Sequence, residues 1–309
     1  MIRRLVKLAV ALLLLVAIAI GALIYSLDSI AKRAVEAAGT HVVGTRTTLD
    51  DMHIGLVSSS ASMNGLSVAN PAGFADPTFL TLGEGALGVD ARSLMSDVIR
   101  VPSIRLSDIH VVLEQKGDTS NASVLLSNMK KAFGGGGSGG GTGSSSGRRF
   151  VIDELVIENI AITAKASGLP IISPTVDLNV KQVRLESLGS GGKDPIGMDQ
   201  LTAIVINAVM QAALEAGGSQ LPKQLIDGML GGLAGVGGGL PNFNLAIDTG
   251  SGLKDIGNLD QLAGKLGVDL GSLTGALNKD VTKGLGEKLD EASKSAGDAL
   301  KKGLGDLIK

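Results

Sequence analysis

The stretch FVIDELVIENIAI, residues 150–162, places large apolar side chains at Phe150, Ile152, Leu155, Ile157, Ile160 and Ile162. The gaps run two, three, two, three, two. A period of two belongs to a half-buried strand, and in a straight strand each gap of three moves the next apolar side chain to the opposite face. Upstream, Ile99, Val101, Ile104, Leu106, Ile109 and Val111 repeat the spacing at a constant offset of 51 residues, so the chain carries an internal repeat. One apolar side is kept only if the chain bends, bulges or turns at each three-residue gap. Those places are Pro102-Ser103 and Asp108 in the first copy, and Asp153-Glu154 and Glu158-Asn159 in the second. The expected product is a curved sheet with a continuous apolar lining. Val176, Leu178, Val180, Val183 and Leu185 extend the theme with a further break. The pattern fits the core of an ordinary β-sandwich equally well.

Residues around the repeat read as strand and turn. Candidate strands are Thr47 to Val57, Ala61 to Val68, Leu80 to Asp90, Ile99 to Leu106 and Ile109 to Glu114, separated by Asn64-Gly65, Asn70-Pro71-Ala72-Gly73 and Lys116-Gly117-Asp118. Ala122 to Phe133 reads as a short helix with Ser120 or Asn121 as its cap. Residues 134–147, GGGGSGGGTGSSSG, lack the apolar content to order themselves and form a flexible loop. A phosphate cradle needs a Gly-Lys-Ser/Thr ending, and here Arg148-Arg149 follow.

The N-terminus supplies a membrane anchor. Leu5 to Ile24 carries a single charge, Lys7, and twenty helical residues span about 30 Å of hydrocarbon. Arg3, Arg4 and Lys7 precede the apolar core, which keeps residues 1–4 cytoplasmic and exports the rest. Cleavage after Ala19 would export the same chain but leave IGALIYSL exposed, so an uncleaved anchor is the preferred reading. Residues 25–41 form a helical connector, 42–190 a β-rich domain, and 191–309 a helical region. Within the last, Met198 to Leu214 is interrupted by Asp199, Gln200, Asn207 and Gln211 and reads as a buried helix short of a second span; 283–309 reads as an amphipathic tail helix.

Composition narrows the chemistry. Aromatics are 2% of the chain, and 28 basic residues face 30 acidic ones, which argues against nucleic acid as a partner. There are no cysteines, so disulfides and thiolate metal sites are excluded. His41, His53 and His110 have no ligand spacing, and no nucleophile elbow or dinucleotide fingerprint occurs in a fitting context. No enzyme, metal or cofactor is implied.

The N-terminal half resembles the AsmA-like family, inner-membrane-anchored periplasmic proteins of Gram-negative bacteria. The likeness lies in the single anchor, in VGTRTTLDDMHIGLVSSSASMNGLSVANPAGF at 43–74, and in SLMSDVIRVPSIRLSDIHVVLEQKGDTSNASVLLSNM, where Gly117, Asn121, Leu125 and Leu126 match the closing positions. It covers about residues 1–190. The resemblance implies a periplasmic apolar β-groove, related to elongated lipid-transfer proteins, with a role in envelope and outer-membrane biogenesis.

The expected fold is therefore α+β: an N-terminal transmembrane helix, a curved, mostly antiparallel sheet forming an apolar groove, and a helical C-terminal region. The expected lipid-contacting lining is Ile99, Val101, Ile104, Leu106, Ile109, Val111, Ile152, Leu155, Ile157, Ile160 and Ile162. Its partners would be membrane lipids. The alternative is a structural or adaptor protein whose groove is filled by residues 198–214 and which acts by binding other envelope proteins. The oligomeric state stays open.

Overall fold

The computed structural model describes residue 15 and residues 26–55, 58–134, 149–167, 175–189, 195–237, 240, 243–250, 252–255 and 259–268. The expected span at 5–24 (Leu15 apart), the Gly/Ser loop beyond Gly134 and the tail helix at 283–309 lie outside them.

A helix, α1 (26–43), leads into β1 (Thr47–Thr48), β2 (Asp51–Gly55), β3 (Ser60–Ala69) and β4 (Thr78–Gly88). A 3-10 turn, Ala91–Met95, precedes the long strand β5 (Val98–Lys116), the short β6 (Thr119–Ser120) and helix α2 (Asn121–Gly134). Then come β7 (Arg149–Ser167), β8 (Thr175–Leu188), α3 (Met198–Gly217), α4 (Lys223–Gly237), β9 (Asn244–Asp248), β10 (Lys254–Asp255) and α5 (Leu259–Lys265). All the strands belong to one large, curved, unclosed sheet ordered β1-β3-β4-β5-β7-β8-β9-β10, with β2 beside β3 and β6 beside β5. The protein is α+β.

The two copies of the repeat are β5 and β7, and they lie side by side. They pair in parallel at the repeat's own offset, with Ile99 opposite Phe150, Ile104 opposite Leu155 and Val111 opposite Ile162. Each copy is one strand of 19 residues, whereas the sequence divides the first into Ile99 to Leu106 and Ile109 to Glu114. The central pair is the parallel exception; the remaining pairings are antiparallel.

The three-residue gaps are accommodated by creases that the strands share. In one row Gly65, Gly83, Asp108, Asn159 and Lys181 are skipped by the ladders on every side, while the register before and after the row stays the same. No strand gains a residue over its neighbour there, so this is not a bulge in the two-against-one sense. Gly65, Asp108 and Asn159 adopt φ of 66°, 60° and 56°, the left-handed region in which Gly, Asn and Asp are the tolerated residues. A second skipped row contains Pro102, Asp153 and Ser187, the last with φ of 61°. Every strand reverses faces at the same level, so one side of the sheet remains apolar throughout.

The edge of the sheet formed by β1, β2 and the link between them is met by α1 through one stripe of side chains spaced four apart. Asp28 Oδ1 accepts from Ile54 N (2.8 Å), Lys32 Nζ donates to Asp50 O (3.0 Å), Glu36 Oε1 accepts from Leu49 N (2.9 Å), and Thr40 Oγ1 accepts from Thr47 N (3.0 Å). Unpaired edge amides and carbonyls invite another strand; here they are satisfied by the helix instead.

Helix α2 is entered through a reciprocal cap, with Ser123 N donating to Ser120 Oγ and Ser120 N donating to Ser123 Oγ. It packs on β5 and on α4. The α2–α4 approach is close because α4 presents Gly228, Gly232 and Gly235 towards Ser123, Leu126 and Lys130. A Cβ on Gly232 would lie 2.7 Å from Leu126 Cβ, so Gly232→Leu is expected to lower stability by about 2 kcal/mol in urea unfolding. At Gly228 the nearest atom would be 3.5 Å away, and Gly228→Ala should be neutral or slightly stabilising in the same assay.

The C-terminal region departs from the all-helical expectation. Asn244–Asp248 and Lys254–Asp255 are strands, and β9 extends the sheet by pairing with β8 from Gln182 to Glu186. Helix α3 is the expected buried helix, but it exceeds the length assigned to it. Met198–Gln220 has a mean hydropathy of 1.3 and is long and apolar enough to cross a membrane by length and composition. In the fold, 67% of that window is buried, because α3 lies against β7 and β8.

Candidate functional site

The shared apolar face is covered unevenly. Over β7 and β8 it is occupied by α3. Between α1, the first turns of α3 and strands β1 to β5 a cavity remains, with about 160 Å³ of room for the centres of water-sized groups. Its floor includes Met63, Leu66, Leu82, Leu87, Ile104 and Leu106, its walls Val35 and Val43 of α1, and its far side Met198, Leu201 and Val205 of α3. Small residues shape its walls. Gly85 leaves room that Met63 enters, since a Cβ there would fall 2.6 Å from Met63 Cε, and Gly39 lets α1 approach Thr47 Cγ2, which a Cβ would meet at 2.7 Å.

The lining is almost wholly apolar. Thr202 Oγ1 donates to Met198 O, whereas the buried Thr47 hydroxyl, also in the lining, has no hydrogen-bond partner. On α3 the buried Asn207 and Gln211 satisfy each other, Gln211 Nε2 donating to Asn207 Oδ1 one turn away. That pairing lets an otherwise apolar helix bury both polar side chains.

Of the lining expected from the sequence, Ile104, Leu106, Ile109 and Leu155 face the cavity. Ile99, Val101, Val111, Ile152, Ile157, Ile160 and Ile162 are buried in the hydrophobic core and do not line it. The residues missed are those of α1, α3 and β1 to β4. Ala61, Met63, Leu66 and Val68 carry the same two, three, two spacing, and Leu80, Leu82, Gly85 and Leu87 repeat it with a glycine in one inward position, which hides the pattern.

The outer face is polar and paired. Arg100 meets Asp153 (3.3 Å), Arg105 meets Glu158 (2.8 Å) and His110 Nε2 lies 3.4 Å from Thr163 Oγ1, three rungs five residues apart along the parallel pair. Such exposed pairs contribute about 0–1 kcal/mol each and are spent on one another, leaving no concentrated charge. The Asp248 carboxyl is held below its ordinary range, chiefly because Gly250 N donates to it at 2.7 Å, aided by Gly252 N and by Lys181 and Lys254. It closes the turn after β9, away from the cavity lining. No group of three His, Asp or Glu side chains able to hold a metal occurs among the described residues.

No protein-family model matches the chain, and no curated protein matches it either.

Proposed function

We propose that the chain is a non-enzymatic, inner-membrane-anchored periplasmic protein of the cell envelope that holds a phospholipid acyl chain against the creased sheet. The observation that carries this reading is the apolar cavity between α1, α3 and the β3–β5 floor. A water needs about 10–15 Å³ by the same measure, so 160 Å³ takes roughly ten methylene-sized groups. That is a segment of one chain rather than a whole two-chain lipid. Burial of apolar surface at about 25 cal/mol per Å² supplies the driving force, and the unpartnered Thr47 hydroxyl offers one hydrogen bond to a polar group near the chain. The resemblance to AsmA-like proteins, in residues 43–74 and around the repeat, points the same way, towards outer-membrane biogenesis.

Val205 is half-buried in the lining, on the side of α3 turned to the cavity. Val205→Trp should fill part of the space, reduce co-purifying phospholipid several-fold in native mass spectrometry of gently solubilised protein, and leave the melting temperature unchanged or raised. A parent protein that carries no lipid, stays folded and is monodisperse would defeat this reading.

The second reading, a structural or adaptor protein, is favoured by α3 lying on β7 and β8, where it occupies that half of the face. In that case the lipid content is nil in parent and variant alike, and a partner engages the C-terminal helices.

A further inference from the structure

We infer that the 3-10 turn Ala91–Met95 is a membrane-contacting tip, which dips into the non-cytoplasmic leaflet beside the N-terminal apolar segment. The inference rests on the anchored reading of residues 5–24 and is independent of what the cavity binds. Its basis is the position of the turn. Asp28 of α1 binds Ile54 N, and Ile54, Ala61, Leu87 and Ile104 stand in one row across the sheet. Thr40, at the other end of α1, binds Thr47 N, so the N-terminal end of α1 lies at the end of the sheet where β4 runs into the turn and β5 returns from it.

The distances bring the turn to the depth of the membrane. In the sequence three residues, Tyr25, Ser26 and Leu27, lie between Asp28 and Ile24, the end of the apolar segment, a link that spans at most about 14 Å however it runs. From the same row, β5 extends six residues to Val98, roughly 20 Å of strand, before the turn is reached. Creases and strand tilt shorten that projection, but even a fully extended link falls short of the strand's roughly 20 Å.

The turn is also built for a poorly hydrated setting. Arg92 N donates to Asp90 Oδ1, Ser93 N and Ser93 Oγ donate to Asp90 O, and Ser96 N donates to Ser93 O. Ser96 Oγ lies within hydrogen-bond distance of the Ser93 and Val98 carbonyls, and Arg100 N donates to Ser93 Oγ. With these groups satisfied internally, the backbone of the tip loses little on leaving water, while the exposed Arg92 and Asp97 stay at the level of the headgroups. Met95 projects from it 95% exposed, an apolar side chain with no protein contact to explain it, and Arg92 beside it is exposed and suits lipid phosphate.

The natural sequence has no cysteine, so single labelling sites can be introduced at will. Met95→Cys and, at the opposite end of β5, Asp118→Cys in the exposed Gly117-Asp118 turn would each carry an environment-sensitive dye on the full chain. The proteins are reconstituted into phosphatidylethanolamine/phosphatidylglycerol vesicles, with or without a phospholipid bearing a doxyl quencher near the top of its acyl chain. The expected result is about twofold quenching at position 95, at a depth of roughly 5–10 Å, and none at position 118. Equal signals at the two positions, or no quenching at 95 while the protein resists alkaline extraction from the vesicles, overturn the tip and leave the anchor standing. Release of the protein by alkaline extraction overturns the anchor, and the tip with it.

Discussion

Replacing Gly65 by valine is expected to cost about 4 kcal/mol of stability and to lower the melting temperature by roughly 10 °C. Two separate penalties meet at this position. Gly65 has φ of 66°, where a β-branched residue is strained by about 1–3 kcal/mol. A Cβ there would also lie 2.2 Å from Asp50 Oδ2, 2.7 Å from Asp50 Cγ and 2.9 Å from Asp50 Cβ. Because the last atom sits directly on the backbone, rotation of the Asp50 side chain cannot relieve the clash, and Asp50 N is itself bonded to the carbonyls of Asn64 and Gly65. The edge strand would have to move as a whole. Gly88→Ala is the control: it lies in the neighbouring strand, outside the left-handed region, and its Cβ would meet only Ser103 Oγ at 3.5 Å. Its melting temperature should stay within about 2 °C of the parent's. A Gly65→Val protein that melted equally close to the parent would remove the crease as a structural requirement.

That crease is where sequence and structure correspond most closely. The irregularities expected at Asp108 and near Asn159 are there, both in the left-handed region, because a three-residue gap in an apolar pattern has no other way to keep its side chains on one face. The burial of Ile104 and Leu155 on a common side follows from the same constraint. Two things were not legible. Spacing within each copy says nothing about how the copies pair, so their parallel adjacency had to come from the structure; a long connection between them is compatible with it. The crease also runs through Gly65 and Gly83, whose part depends on lateral alignment with β5, a relation between residues far apart in the chain.

The cavity shows the opposite case. Its floor follows from the same pattern, but its existence depends on what fails to fill it: α3 packs on β7 and β8 and only its first turns border the β3–β5 half, while Gly85 and Gly39 set how closely Met63 and α1 approach. An apolar pattern identifies surfaces that avoid water without identifying which of them another segment will cover. The stripe Asp28, Lys32, Glu36 and Thr40 is spaced as one face of a helix, but its partner, the edge backbone from Thr47 to Ile54, has no side-chain signature at all. The β9 strand was missed for a related reason. It has five residues between glycine-rich stretches, and its strand state comes from pairing with β8 rather than from local preference.

The other large effect is expected from a substitution that changes almost no volume, Asn121→Asp. Asn121 is fully buried where β5, the turn at Asn70 and the start of α2 meet. Its Oδ1 accepts from Glu114 N (2.9 Å) and Ala122 N (2.8 Å), and its Nδ2 donates to Val112 O (2.7 Å) and Asn70 Oδ1 (3.0 Å). Aspartate keeps the two acceptor contacts and sets an oxygen against two oxygens in place of the donor. Asn70 cannot turn its amide to compensate without giving up the bond from its Nδ2 to Asp76 O. The lost donor leaves a buried carbonyl unpaired, at about 1–3 kcal/mol, and the ionised carboxylate adds a desolvation cost, for a total of about 4 kcal/mol near pH 8. Protonation relieves part of this, since the new O–H can donate to Val112 O. The folded-state pKa of the introduced carboxyl is therefore raised above its unfolded value of about 3.9. Between those two values the folded state holds a proton that the unfolded state releases, so the variant loses stability as pH rises through that window. Urea unfolding of parent and variant at pH 4.5 and pH 8 should give a deficit that is larger at the higher pH. A deficit that is small and independent of pH would mean that water reaches Asn121, and that the junction of β5 with α2 is not held by this side chain.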